Sequence, residues 1–189
     1  MGQKRNLSKY LLRQESTLLK HTLIKPIPVD IAKFQLREFY DSCLVDCIKD
    51  CFAIDVSIAD VQRNQYGQPC LVQQRSIGAF LSLSHSGDYV AAVASSRPCG
   101  IDIERIKKRS INAIWQEIRH PTEPDAPDNA EQFYQWWTRK EAAWKVFACQ
   151  QPKSMKALSV AGSKDTNYKG LVLENILAPT GYAATVAFL

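Results

Sequence analysis

The chain has 189 residues, 46% of them hydrophobic and 23% charged, with four Trp, seven Tyr and seven Phe. That is one domain, or two small halves on one core, with enough apolar surface to offset chain entropy, so a long multidomain enzyme and wholesale disorder are both excluded. The net charge of +5, from 24 Lys and Arg against 19 Asp and Glu, favours anionic partners such as nucleotides, phosphorylated cofactors or acidic proteins without choosing among them.

The N-terminus carries much of the basic excess, with Lys4, Arg5, Lys9, Arg13, Lys20 and Lys25 facing only Glu15. It lacks the apolar segment of a secretory signal, and no apolar run is long enough to span a membrane, so a soluble, cytoplasmic protein is expected. A helix is expected over residues 31–52, with Phe34, Leu36, Phe39, Tyr40, Cys43, Cys47, Ile48 and Cys51 on its apolar side. The four-residue spacing of Cys43, Cys47 and Cys51 reads as a buried stripe of reduced thiols, because structural zinc sites use close pairs on turns.

Tyr66-Gly67-Gln68-Pro69 marks a turn. Leu81, Leu83 and His85 share one face of a strand and Phe80, Ser82 and Ser84 the other, so Ser84 and His85 point apart and cannot form a hydrolytic couple. Hydroxyl, imidazole and backbone N–H groups beside a tight turn suit phosphate binding instead. Strands at Tyr89–Ser95 and Gly100–Arg105 follow, and the three together are expected to form an antiparallel meander.

Asp102 and Glu104 alternate with Ile101 and Ile103, which puts both carboxylates on one strand face, the arrangement that offers two hard oxygen ligands to Mg²⁺. Lys107, Lys108 and Arg109 form a basic run that could meet an acidic partner. A short helix is expected from Ser110 to Arg119, and a longer one opens with an Asp128/Glu131 capping box and runs through Cys149 to a boundary at Pro152. In it Phe133, Trp137, Trp144 and Phe147 cluster into a buried arc, with Glu141 and Lys145 at its edge. Lys140 falls within the arc and so must snorkel or find an acid. Strands at Gly170–Ile176 and Tyr182–Phe188 close the chain. Tyr182-Ala183-Ala184-Thr185-Val186-Ala187 matches Tyr89-Val90-Ala91-Ala92-Val93-Ala94 at four of six positions, which points to two related halves, 1–98 and 99–189.

Gly100-Ile101-Asp102-Ile103-Glu104, followed by Trp137-Thr138-Arg139-Lys140-Glu141-Ala142-Ala143-Trp144-Lys145, resembles the paired signature of the phosphopantetheinyl transferases. Leu83-Ser84-His85-Ser86-Gly87 and Tyr66-Gly67-Gln68-Pro69 resemble two further motifs of the monomeric, surfactin-synthetase-activating type. The resemblance implies an α+β pseudodimer, each half a small antiparallel sheet against a long helix. It also implies transfer of the phosphopantetheine arm of coenzyme A to a serine of an apo acyl or peptidyl carrier protein. By similarity Asp102, Glu104 and Glu141 hold Mg²⁺, or Mn²⁺ in its place, Lys145 and Ser84 contact the pyrophosphate, and His85 the 3′-phosphate. Glu141 and Lys145 carry the catalytic roles, with Tyr66, Gln68 and Arg37 as further coenzyme A contacts. The family often has lysine where Gln68 stands, so one phosphate contact is lost or comes from elsewhere, for instance the N-terminal lysines. A magnesium-dependent phosphoester hydrolase, a basic nucleic-acid-binding module and a member without activity are the alternatives; no nucleic-acid motif is present, and a monomer is expected.

Overall fold

The computed structural model describes residues 18–72, 78–147, 154–161, 166 and 168–189. Lys4, Arg5, Lys9, Arg13, Cys149 and Pro152 lie outside the described residues. Two three-stranded antiparallel sheets are each covered by one long helix. In the first sheet β5 (Tyr89–Ser95) runs between β1 (Lys20–Pro26) and β4 (Phe80–Ser86). In the second, β8 (Tyr182–Phe188) runs between β6 (Cys99–Arg105) and β7 (Val172–Asn175). The two echoing segments are thus the two central strands. A short hairpin, β2 (Val61–Arg63) and β3 (Pro69–Leu71), precedes β4.

The order through the molecule is α1 (Leu36–Phe52), first sheet, second sheet, α3 (Ala130–Phe147), with the short α2 (Ile111–Ile118) packed on α3. Period-two alternation in β5 builds this layering. Val90, Ala92 and Ala94 pack with Leu44, Cys47 and Ile48 of α1, while Ala91 and Val93 meet Ile101, Ile103, Val186 and Phe188 of the second sheet. A central strand buried on both faces reads as a nearly continuous apolar run, as β5 does. No helix among the described residues is long and apolar enough to cross a membrane.

Several elements depart from expectation. The meander does not form: β6 pairs with β8, because β1 comes back from the N-terminal side to take the free edge of β5 in the register Lys20↔Ser95 to Pro26↔Tyr89. The first helix begins at Leu36, after a 3₁₀ turn at Lys33–Gln35 that leaves Phe34 84% exposed rather than on the buried side. The cap of α3 is shifted by one residue, with Asn129 Oδ1 accepting the Gln132 N–H at 2.8 Å and Gln132 Oε1 accepting the Asp128 N–H. In α3 the buried set is Phe133, Tyr134, Trp136, Thr138, Lys140, Ala142 and Ala143, and Trp137, Trp144 and Phe147 are only half-buried.

The cysteine stripe behaves as an apolar face. Cys43 and Cys47 are buried and free, and burial pushes the Cys47 thiol up to about 12. Lys140 finds its acid in Glu123, with Nζ 2.7 Å from Oε2 and both side chains fully buried. Glu123 also accepts the N–H groups of His120, Val160 and Ala161, which ties two loops to the helix.

Candidate active site

Gly100 decides how closely β6 and α3 approach. A Cβ there would lie 2.0 Å from the Ala142 carbonyl oxygen, so only glycine admits the helix at this depth. That contact sets Glu141 and Lys145 of α3 over the β6 face that carries Asp102. Lys145 Nζ donates to Asp102 Oδ1 at 2.8 Å and to the Ile101 carbonyl at 2.9 Å.

The opposing wall comes from β4. β4 and β6 are edge strands of different sheets, and hydroxyls join them where a backbone ladder would otherwise run. Ser82 Oγ accepts the Ile101 N–H and Ser86 Oγ the Arg105 N–H, each at 3.1 Å. Ser84 donates to Asp102 Oδ1 and Ser86 to Glu104 Oε2, each at 2.7 Å. Asp102 is 3% exposed and its second oxygen, Oδ2, is buried without a hydrogen-bond partner.

Electrostatics follow from this crowding of acids. Burial pushes the Glu141 carboxyl up to about 7, reinforced by the charges of Asp102 and Glu104 and opposed by Lys145. Burial likewise raises the Asp102 carboxyl, against the pull of Lys145 and the Ser84 hydroxyl. No group of three potential ligands is gathered at metal-binding distance among the described residues. The donor chemistry nevertheless suits a hard divalent cation: carboxylates whose charges raise the proton affinity of Glu141, and one orphaned buried oxygen.

Beside these groups lies a cleft of about 280 Å³ lined by Tyr66, Gln68, Leu83, Glu141, Trp144 and Lys145, among others. The hairpin turn that forms one side is organised by Asn64, whose Oδ1 accepts the N–H groups of Tyr66 and Gln68. Gln68 Nε2 donates to the Lys145 carbonyl at 2.7 Å. A carboxamide thus fastens the turn to α3.

His85 points to the other face of β4, as alternation requires, and stacks on Tyr40 of α1 with ring centroids 4.8 Å apart. Next to Tyr40, the buried Asp41 binds Arg37 Nε at 3.1 Å and Arg63 at 2.5 Å. Arg37 thus belongs to a second, cationic cluster with Tyr40, Asp41, Arg63 and His85, separate from the carboxylates. Sequence reasoning missed Arg63, Asp41 and Ser86. The alternation of Ser82, Ser84 and Ser86 was a signal for the last, and none pointed to the first two. The N-terminal lysines that are described have other partners, Lys20 on Glu174 and Lys25 on Asp46. Arg109 of the basic run lies over Phe133, Tyr134 and Trp137 at 5.2–5.3 Å, and like Lys107 and Lys108 it is exposed.

Comparison with known proteins adds an independent line. Residues 98–186 match the family model of the 4'-phosphopantetheinyl transferase superfamily. The chain is similar to 4'-phosphopantetheinyl transferase Sfp of Bacillus subtilis, 31% identical over 97 residues, covering 48% of this chain and 42% of that protein. It is also similar to 4'-phosphopantetheinyl transferase gsp of Aneurinibacillus migulanus, 31% identical over 91 residues, covering 45% of this chain and 36% of that protein. The chain spans less than half the length of these two curated relatives.

Proposed function

We propose that this chain, which matches the 4'-phosphopantetheinyl transferase superfamily over residues 98–186, transfers the phosphopantetheine group of coenzyme A to a serine of an apo acyl or peptidyl carrier protein. The observation that carries the reading is the joint of β6 and α3. The two stretches with the family's paired signature, far apart in sequence, meet there through the Lys145–Asp102 hydrogen bond.

In the reaction the serine oxygen forms a bond to the phosphorus that bears pantetheine, and the pyrophosphate P–O bond breaks to release adenosine 3′,5′-bisphosphate. Glu141 takes the serine proton, directly or through water. Its place on the cleft wall, beside Lys145, suits it to that task. Lys145, at the cleft and beside Asp102, orients the pyrophosphate and stabilises its charge before and during bond cleavage. Ser84 acts at the same end of the cleft, while His85 and Arg37 address the 3′-phosphate, and Tyr66 and Gln68 line the entry of coenzyme A. Asp102, Glu104 and Glu141 would hold Mg²⁺ or Mn²⁺, which when bound supplies neutralising charge to the pyrophosphate.

The halves 1–98 and 99–189 form a pseudodimer in this reading. Its support is the repeated plan of a central strand flanked antiparallel on both sides, with one long helix over each sheet. The protein acts as a cytoplasmic monomer, with no nucleic-acid or membrane partner, and Lys107 and Lys108 steer the acidic carrier.

The test is release of adenosine 3′,5′-bisphosphate from coenzyme A and Mg²⁺ with and without apo carrier. Release that requires the carrier is expected. Release in its absence would identify a phosphoester hydrolase instead.

A further inference from the structure

β4 presents three serines on one face, and each meets β6 differently. Ser82 accepts the Ile101 N–H and meets no carboxylate among the described residues. Ser84 donates to Asp102. Ser86 does both, accepting the Arg105 N–H at 3.1 Å while donating its single proton to Glu104 Oε2 at 2.7 Å. A hydroxyl has one proton and a free rotor. An N–H on its lone pair fixes the oxygen's place, and the neighbouring carboxylate then fixes the direction of the proton.

The support behind Ser86 is firm. Gly87 follows at φ +55, and a Cβ there would stand 2.4 Å from the Tyr182 hydroxyl. That hydroxyl accepts the Asp88 N–H at 3.0 Å, so the β4–β5 turn is clamped to the second sheet. Glu104 itself is only half-buried and on a longer side chain than Asp102, whose Oδ1 accepts from both Ser84 and Lys145. It is the carboxylate with more rotamers to lose.

We infer that Ser86 is a positioning residue: its hydroxyl fixes the Glu104 carboxylate on the face it shares with Asp102 and thereby sets the affinity of these acids for a divalent cation. This rests on the reading of Asp102, Glu104 and Glu141 as cation ligands. Hydrogen bonds that orient ligating carboxylates govern metal affinity as the ligands themselves do, and their loss typically weakens binding by about 10- to 100-fold.

The experiment is direct Mn²⁺ binding, followed by the electron paramagnetic resonance signal of free Mn²⁺ first without and then with coenzyme A, in the parent and in S86A, S86T and S82A. S86A should bind about 10-fold more weakly. S86T, which keeps a hydroxyl, should restore most of the affinity. S82A, which removes a comparable joint between the strands but borders the cleft, should leave the affinity without coenzyme A unchanged. If S86A does not fold, Ser86→Cys carries the same expectation through its weak thiol donor. Equal affinity of S86A and parent would overturn the proposal, as would an equal loss in S82A, which would mark general loosening of the seam. A parent that binds no Mn²⁺ would instead overturn the assignment of the three ligands, and the role of Ser86 with it.

Discussion

Lys145 points its ammonium at Asp102 Oδ1, 2.8 Å away across the joint of α3 and β6. Spacing alone would pair it with Glu141 one turn earlier on the same helix. The difference matters because a surface i,i+4 pair contributes only a few tenths of a kcal/mol, whereas Asp102 is 5% exposed in its side chain and has few other ways to keep its charge.

Lys145→Ala should therefore destabilise the fold by about 3 kcal/mol at pH 7, the lower end of the range for breaking a buried pair, since Lys145 keeps about a quarter of its side chain in solvent. Without the ammonium the folded-state affinity of Asp102 for a proton rises further. The deficit should shrink on acidification, as the carboxyl protonates and no longer needs a partner. Urea denaturation at pH 7 and pH 5 measures both quantities.

Glu141 gives a pH dependence of stability. Its carboxyl is raised from an ordinary 4.5 to about 7, so below pH 4.5 it is protonated in folded and unfolded chains alike. Between 4.5 and 7 the unfolded chain ionises first and stability falls as pH rises; above 7 the penalty is complete. Glu141→Gln removes it. Without divalent cations, the Tm of this variant should exceed the parent's by several degrees at pH 8 and converge with it near pH 4.5. Transfer activity should collapse in the same variant, which keeps the shape of the side chain but not its charge or basicity.

The buried Lys140–Glu123 pair is structural. Glu123→Leu would strand the ammonium and three backbone N–H groups, and Lys140→Met would leave an unpaired buried carboxylate. Each should cost about 3–5 kcal/mol. The double variant should lose less than the sum, because neither charge is then left alone, and a double-mutant cycle in urea reads the coupling.

Gly100→Ala tests the approach of β6 and α3. The clash is with backbone at the Ala142 carbonyl, which no side-chain rotation relieves, so a loss of about 3 kcal/mol is expected, at the upper end for overpacking. Because Ala142 follows Glu141 directly, coenzyme A affinity should fall in any fraction that folds, as calorimetric titration would show.

Much of this was legible in the sequence where a period sufficed. The shared face of Asp102 and Glu104, the opposite directions of Ser84 and His85, and the place of Lys140 among buried aromatic residues, where it must snorkel or find an acid, all follow from alternation or helical angle. The identity of that acid did not, because Glu123 lies in a loop between Pro121 and Pro124 and reaches Lys140 only through tertiary packing. The Asp41–Arg63 pair was hidden for the same reason, since it joins a helix to a hairpin strand. The meander failed because local spacing says nothing about competition for an edge, and β1, distant in sequence, occupies the edge of β5 that β6 would need.

The central claim is group transfer to a carrier protein by the residues gathered at the β6–α3 joint. Intact-mass analysis of an apo carrier protein incubated with this protein, Mg²⁺ and coenzyme A tests it most directly. The account predicts that the carrier gains the mass of one phosphopantetheine, that the gain vanishes without the cation, and that Asp102→Ala abolishes it. A carrier left at its apo mass by the folded, coenzyme A-binding parent protein would contradict the account.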